Sequence, residues 1–148
     1  MRENQKLKMP IVKVFTNLAR NQLPVDFMPK FNGFLAAALS KDPKLFKWTL
    51  DTDKLMSQVR EFSKQCQPLC KILILQGCDV DGHRKPFLFV EIESVAVFDT
   101  KEKCHKIVPE IFKYLQNETA LKNDQIVTKF RDLQAHHVGS KGITLDQK

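Results

Sequence analysis

Residues that staple or punctuate small folds are scarce in this chain. Its 148 residues include four cysteines (66, 70, 78 and 104), five glycines, one tryptophan and one tyrosine. Four unevenly spaced cysteines do not make a disulfide scaffold. Cys66 and Cys70 are separated by three residues, which is not the CxxC spacing of redox and zinc sites, and no second pair follows. There is no Walker loop, GxGxxG, GxSxG or HExxH, so the familiar nucleotide, serine-hydrolase and zinc-protease signatures are absent. No apolar run approaches the roughly 20 residues of a membrane helix. The opening Met-Arg-Glu-Asn-Gln-Lys-Leu-Lys leads into no apolar stretch of secretory type. The composition that remains is globular: 43% hydrophobic, 28% charged, with a formal net charge of +7. That length suits one domain able to bury a core without metal or disulfide support.

Hydrophobic periodicity divides the chain into elements. Ile11-Val12-Lys13-Val14-Phe15-Thr16 is a β-branched run and reads as a strand. Phe27, Phe31, Phe34, Leu35, Ala38 and Leu39 form one apolar face and predict a helix over 26–40. Asp26 is placed to cap it, Pro29 falls in its first turn and Pro43 lies beyond its end. Phe46, Trp48 and Leu50 alternate with Lys47, Thr49 and Asp51, a strand with one buried face. Pro86 to Phe98 predicts a long strand, buried at first and alternating later. A second helix is expected from about Thr100 to Gln116, with Ile107, Val108, Ile111, Phe112 and Leu115 inward and a kink at Pro109. Ile126 to Phe130 predicts a fourth strand, followed by a polar tail from Asp132 with two glycines. Between these units, residues 57–85 have no clear period: Val59–Gln67 is vaguely helical, Ile72–Leu75 is a short apolar run and Gly77–Gly82 is turn-like.

Two strand–helix–strand units predict an α/β fold: a four-stranded mixed sheet carrying both helices on one face. The opposite face is then bare, and partner subunits are expected to cover it. Candidate metal sites fail on inspection. Asp79-Val80-Asp81-Gly82 has the outline of a calcium loop, but Gly77 and Leu88 stand where acidic ligands are needed. His136 and His137 are adjacent, and in an extended segment they would point to opposite sides. No metal and no cofactor is expected. The lysines and arginines are scattered rather than interleaved with aromatic residues, so no nucleic-acid partner and no membrane insertion are expected. Lys41, read locally, is a cation at a helix C-terminus favoured by the helix dipole, and Pro10 is a strand-start proline.

Met9-Pro10-Ile-Val-Lys-Val-Phe-Thr16-Asn17-Leu resembles the start of the macrophage migration inhibitory factor family, within the tautomerase superfamily. The likeness continues through Pro24, Phe27, Lys41 and Asp53-Lys54-Leu55-Met56. It resumes at Pro86 and Ser94-Val95, and again at Asp124-Gln125-Ile126-Val127 and Asp132-Leu133-Gln134-Ala135 to Val138-Gly139. The resemblance implies a homotrimer with pockets between subunits and keto–enol tautomerase (isomerase) chemistry on a small keto acid or aromatic substrate of phenylpyruvate or dopachrome type. It also implies cytokine-like signalling through a cell-surface receptor, and a cytoplasmic location or secretion without a signal peptide. Carried over by position, Pro10 is the catalytic base once it becomes N-terminal, Lys41 holds the substrate carboxylate, Val95 is an apolar wall and Val138 lines the pocket.

The sequence departs from the family in several places. Residues 1–8 form a charged extension before a domain spanning 9–148, and residues 57–85 replace a short connection. Pocket positions from a neighbouring subunit are Val127 and Lys129, and Ser140 stands for an aromatic residue. Phe87 and Val90 occupy the vertebrate factor's CxxC positions, so its thiol chemistry is not expected. The alternative reading is a catalytically silent signalling or structural trimer that keeps only the fold. Residues 1–8 carry three basic and one acidic side chain, and residues 57–85 five and three. Four of the seven net positive charges thus lie outside the recognisable core.

Overall fold

A computed structural model of the chain describes residues 9–54 and 86–147. The charged extension and the stretches read above within 57–85, including Cys66, Cys70, Cys78 and Asp79–Gly82, lie outside the described residues. β1 (Ile11–Thr16), α1 (Phe27–Leu39) and β2 (Lys47–Asp51) make one unit; β3 (Leu88–Val95), α2 (Lys101–Thr119) and β4 (Ile126–Leu133) make the other. The strands lie in the order β2-β1-β3-β4. β1 and β2 are parallel, β3 and β4 are parallel, and the units join antiparallel through β1 and β3. The expected mixed sheet is present, with both helices on one face.

That face holds the core. Val12, Val14, Leu88, Val90, Ile92 and Ile126 alternate inward along their strands and are at most 3% exposed. Phe27, Phe31, Leu35 and Leu39 meet them from α1, and Ile107, Ile111 and Leu115 from α2. Phe31 is the hub: its ring lies 5.7 Å from Phe27, 5.4 Å from Trp48 and 5.5 Å from Tyr114. Tyr114 also stacks on Phe34 at 4.3 Å, joining the two helices. Trp48 Nε1 donates to Asn32 Oδ1 at 2.9 Å, which ties the edge strand β2 to α1.

Several local expectations are corrected. Asp26 sits at the start of α1, but its side chain accepts no capping bond and instead pairs with Lys30 at 3.0 Å. Asp26 has φ −96 and ψ 16, outside the extended backbone of an ordinary N-cap. Thr100 does cap α2, accepting from Lys103 N–H. The second helix runs three residues past Gln116, to Thr119, with Pro109 inside it. β3 is shorter than the apolar run because Ala96 takes φ +57 and turns the chain, so Val97 and Phe98 leave the sheet. Its burial runs opposite to the expectation. β3 alternates first and is then continuously buried from Ile92 to Val95; on the face away from the helices, Glu93 is covered by the side chains of Lys13 and Arg131 on the flanking strands. β4 extends three residues beyond Phe130, and the polar tail contains a hairpin, β5 (Gly139–Ser140) with β6 (Ile143–Thr144). Lys141 and Gly142 (φ +57 and +83) make its two-residue turn, the left-handed pair a tight hairpin requires.

Both helices stop on left-handed residues other than glycine, Ser40 and Ala120. At Ser40 the next N–H, that of Lys41, reaches back to Ala36 C=O at 2.9 Å, a Schellman closure that fixes where Lys41 begins. Among the described residues, no helix is long and apolar enough to cross a membrane.

Candidate functional site

The antiparallel register of β1 and β3 decides which predicted site residues meet. Ile11 lies opposite Glu93, so Pro10, one residue earlier, comes beside the Ser94–Val95 end of β3. Pro10 is fully buried, and its carbonyl accepts the Lys47 N–H at 2.9 Å, which anchors the start of β1 to the start of β2. Val95 is 5% exposed and pairs in register with Leu133 of β4. Ser94 carries a buried hydroxyl with no hydrogen-bond partner among the described residues. Ala96 N–H donates to Asp132 Oδ1 at 3.0 Å and holds the turn that follows Val95. One end of the sheet therefore gathers a proline, an apolar valine and a serine.

α1 runs back toward this end because β1 and β2 are parallel, and its last turn delivers Lys41, which is half-buried. Lys41 lines a cavity of about 300 Å³ between the end of α1, the β3–α2 connection and the first turns of α2. Pro10, Val95 and Val138 do not line it. Val138 lies in the C-terminal turn-and-hairpin unit, half-buried, with its carbonyl accepting the Leu145 N–H at 3.0 Å. The structure thus places Pro10 and Val95 together, Lys41 beyond α1 at the same end, and Val138 in a separate unit.

Periodicity alone did not single out Lys103 and Lys106, which line the cavity with Lys41. Their i, i+3 spacing puts them on one face of α2, but only the fold brings that face to Lys41. Lys103 Nζ lies 2.6 Å from Asp99 Oδ1 and holds that carboxyl below its usual range, chiefly through this hydrogen bond. His136 and His137 are not extended: they share a 3-10 turn and their rings meet edge to face at 4.1 Å. No group of three or more His, Cys, Asp or Glu able to hold a metal occurs among the described residues.

The opposite sheet face exposes Ile11, Lys13, Phe15, Phe89, Val127 and Lys129 in alternation with the core positions. Glu93, on this face, is buried between Lys13 and Arg131, at 3.9 and 3.6 Å. Val127 and Lys129 stand on β4, an edge strand among the described residues, level with Phe89 and Glu91.

A doubled β-α-β unit on a four-stranded mixed sheet, with a buried proline where the first strand begins, defines the class. Residues 9–146 match the family model described as macrophage migration inhibitory factor. The chain belongs to that family. It is 25% identical over 137 residues to D-dopachrome decarboxylase of Xenopus tropicalis and 23% to that of Mus musculus, each match covering 93% of this chain and 98% of the relative. Among solved structures it resembles the macrophage migration inhibitory factors of Oncomelania hupensis and Trichinella spiralis. Both are 17% identical, with TM-scores of 0.67 and 0.66; the matches cover 92% and 90% of this chain, and 82% and 98% of those chains. At that identity the structural likeness speaks for the fold alone.

Proposed function

We propose that the protein is a keto–enol tautomerase of aromatic keto acids, of phenylpyruvate or dopachrome type, acting as a homotrimer through Pro10. The observation that carries this reading is the buried Pro10 beside Val95 at the sheet end to which α1 delivers Lys41. Family membership and the dopachrome-directed names of the curated relatives support the substrate class. In the full sequence Pro10 follows Met9, so its nitrogen is an amide without a basic lone pair. Cleavage of that bond leaves a secondary amine. An unperturbed α-amino group titrates at about 7.7–8.0, and burial disfavours its ammonium form, bringing the base into the neutral range. The free amine takes the substrate's α-proton and the resulting ammonium delivers that proton to the carbonyl oxygen, giving the enol and restoring the free amine; the reverse transfer regenerates the ketone. Lys41 holds the carboxylate as a point charge, Val95 packs on the apolar body, and Val138 contributes where subunits meet. The bare sheet face, with Phe15, Phe89 and Val127, is the surface partner subunits would cover. Cytokine-like signalling through a cell-surface receptor, from the cytoplasm or after leaderless secretion, completes the reading.

A second reading has a specific observation in its favour: Pro10 is internal in this sequence. By the family resemblance, Lys129 also departs at a pocket position from a neighbouring subunit, and Ser140 replaces an aromatic residue of the C-terminal loop. This reading makes the protein a silent trimer that keeps the fold. Ultraviolet assay of phenylpyruvate tautomerisation separates the two. A chain beginning at Pro10 is expected to turn over, and Pro10→Gly to lower kcat/KM by about 10²-fold or more, the span of a lost general base. Lys41→Ala is expected to raise KM about tenfold, the equivalent of roughly 1.4 kcal/mol. A folded chain beginning at Pro10 with no turnover establishes the silent reading.

A further inference from the structure

The cavity behind Lys41 is formed apart from the Pro10 site, and its walls differ in kind. Leu39, Phe98 and Ile107 form an apolar floor, each no more than 8% exposed. Lys41, Lys103 and Lys106 stand around the floor, against a single acidic residue among the described lining residues, Glu110. Lys103 is committed to Asp99, whereas Lys106 makes no ion pair with the described residues. Two left-handed residues, Ser40 at the end of α1 and Ala96 after β3, are among the cavity's lining. The volume of about 300 Å³ stands at the lower end of small-molecule sites.

We propose that this cleft between the end of α1 and the first turns of α2 binds a small amphipathic monocarboxylate. Its apolar chain lies on Leu39, Phe98 and Ile107, and its acid head meets Lys106 at the mouth. Apolar area supplies most of the affinity, as in other small pockets, and the ammonium groups select the anion over its neutral analogue. Glu110 on the wall sets the preference for a single negative charge, since a second would face its carboxylate. Lys41 belongs to both this wall and the proposed substrate clamp, so occupancy here bears on the neighbouring site. The inference stands apart from the tautomerase reading, because binding needs neither a free Pro10 amine nor turnover.

The test is an amide-resolved NMR titration of the full chain with octanoate and, separately, with octanamide. Octanoate is expected to shift the amides of Ser40, Lys41, Val97, Phe98, Lys106 and Ile107 saturably, and octanamide to bind about tenfold more weakly, the scale of one charge-assisted hydrogen bond. Lys106→Gln, a surface change that leaves the floor intact, is expected to weaken octanoate by about three- to tenfold. Ala38→Phe, which fills the cleft, is expected to abolish the shifts. If that variant fails to fold, Lys106→Gln decides alone. Absence of saturable shifts at those amides, equal binding of octanamide, or octanoate affinity unchanged in Lys106→Gln each overturns the proposal.

Discussion

The two faces of the sheet are built from alternate residues of the same strands and carry different duties. On the helix side, Val12, Val14, Val90 and Ile92 are completely buried under α1 and α2. On the side that no described helix covers, their immediate neighbours are Lys13, Phe15, Glu91 and Glu93, a mixture of charge and apolar surface. Stability resides on the first face. The second has too much apolar surface to be ordinary solvated sheet and too much charge to be a core, a composition suited to contact between subunits. A strand of period two can serve both because each residue belongs to one face alone.

The largest effect that sharpens this contrast is expected at Phe31. Phe31→Ala removes the ring shared by Phe27, Phe34, Trp48 and Tyr114 and should cost about 3–5 kcal/mol, read from urea denaturation at fixed protein concentration. A loss below 1 kcal/mol would place the core elsewhere. Glu93 is the exception on the bare face, shielded between Lys13 and Arg131. Glu93→Ala leaves those cations facing each other without their carboxylate, and a loss of about 1–3 kcal/mol is expected. Pairing it with Lys13→Ala and Arg131→Ala should recover part of that loss.

Tyr114 reports the helix side by titration. Its hydroxyl is buried without a hydrogen-bond partner among the described residues, and desolvation, with Glu118 and Asp26 adding to it, pushes its pKa to about 12. Because the folded value is the higher one, its contribution is complete below the ordinary tyrosine pKa near 10 and is lost as pH rises through about 12. It is the single tyrosine, so phenolate absorbance should give one midpoint near 12 in native protein and one near 10 in denaturant. The smallest change in fold stability belongs to Phe89→Ser, below about 1 kcal/mol for the isolated subunit because the ring is only part-buried, its aromatic neighbour among the described residues being Phe15 at 6.2 Å. The same variant should lower the mass seen in sedimentation velocity. An unchanged mass would remove this face from the assembly contact.

The described residues on either side of 57–85 are anchored at the end of β1 away from Pro10. Asp53 and Lys54 N–H groups donate to Leu18 and Thr16, and Phe87 is held by Thr16 Oγ1 and Asn17 Oδ1. Both flanks of the undescribed segment are thus stitched to the end of β1, whereas Pro10 stands at its start.

The chain's own pattern is enough for the two repeated units, because strand alternation and the α1 face are local periodicities. β1 coincides with the run Ile11–Thr16, and α1 lies one residue inside the predicted helix at each end. The end of β3 was not legible because Ala96 adopts a left-handed conformation without a glycine to announce it, and the apolar residues after it pack off the sheet, Phe98 stacking on Phe130 at 4.6 Å. The terminal hairpin had a faint signal in Lys141-Gly142, too short to stand out from a polar tail. Family resemblance named Pro10, Lys41, Val95 and Val138 from motif position. Only tertiary structure decided their arrangement: the antiparallel register of β1 against β3 sets Pro10 beside Val95, and the Schellman turn at Ser40 delivers Lys41 to a cleft with Lys103 and Lys106. Periodicity records which way a residue faces along its own element. Which elements become neighbours depends on burying those faces together, and that is a property of the whole chain.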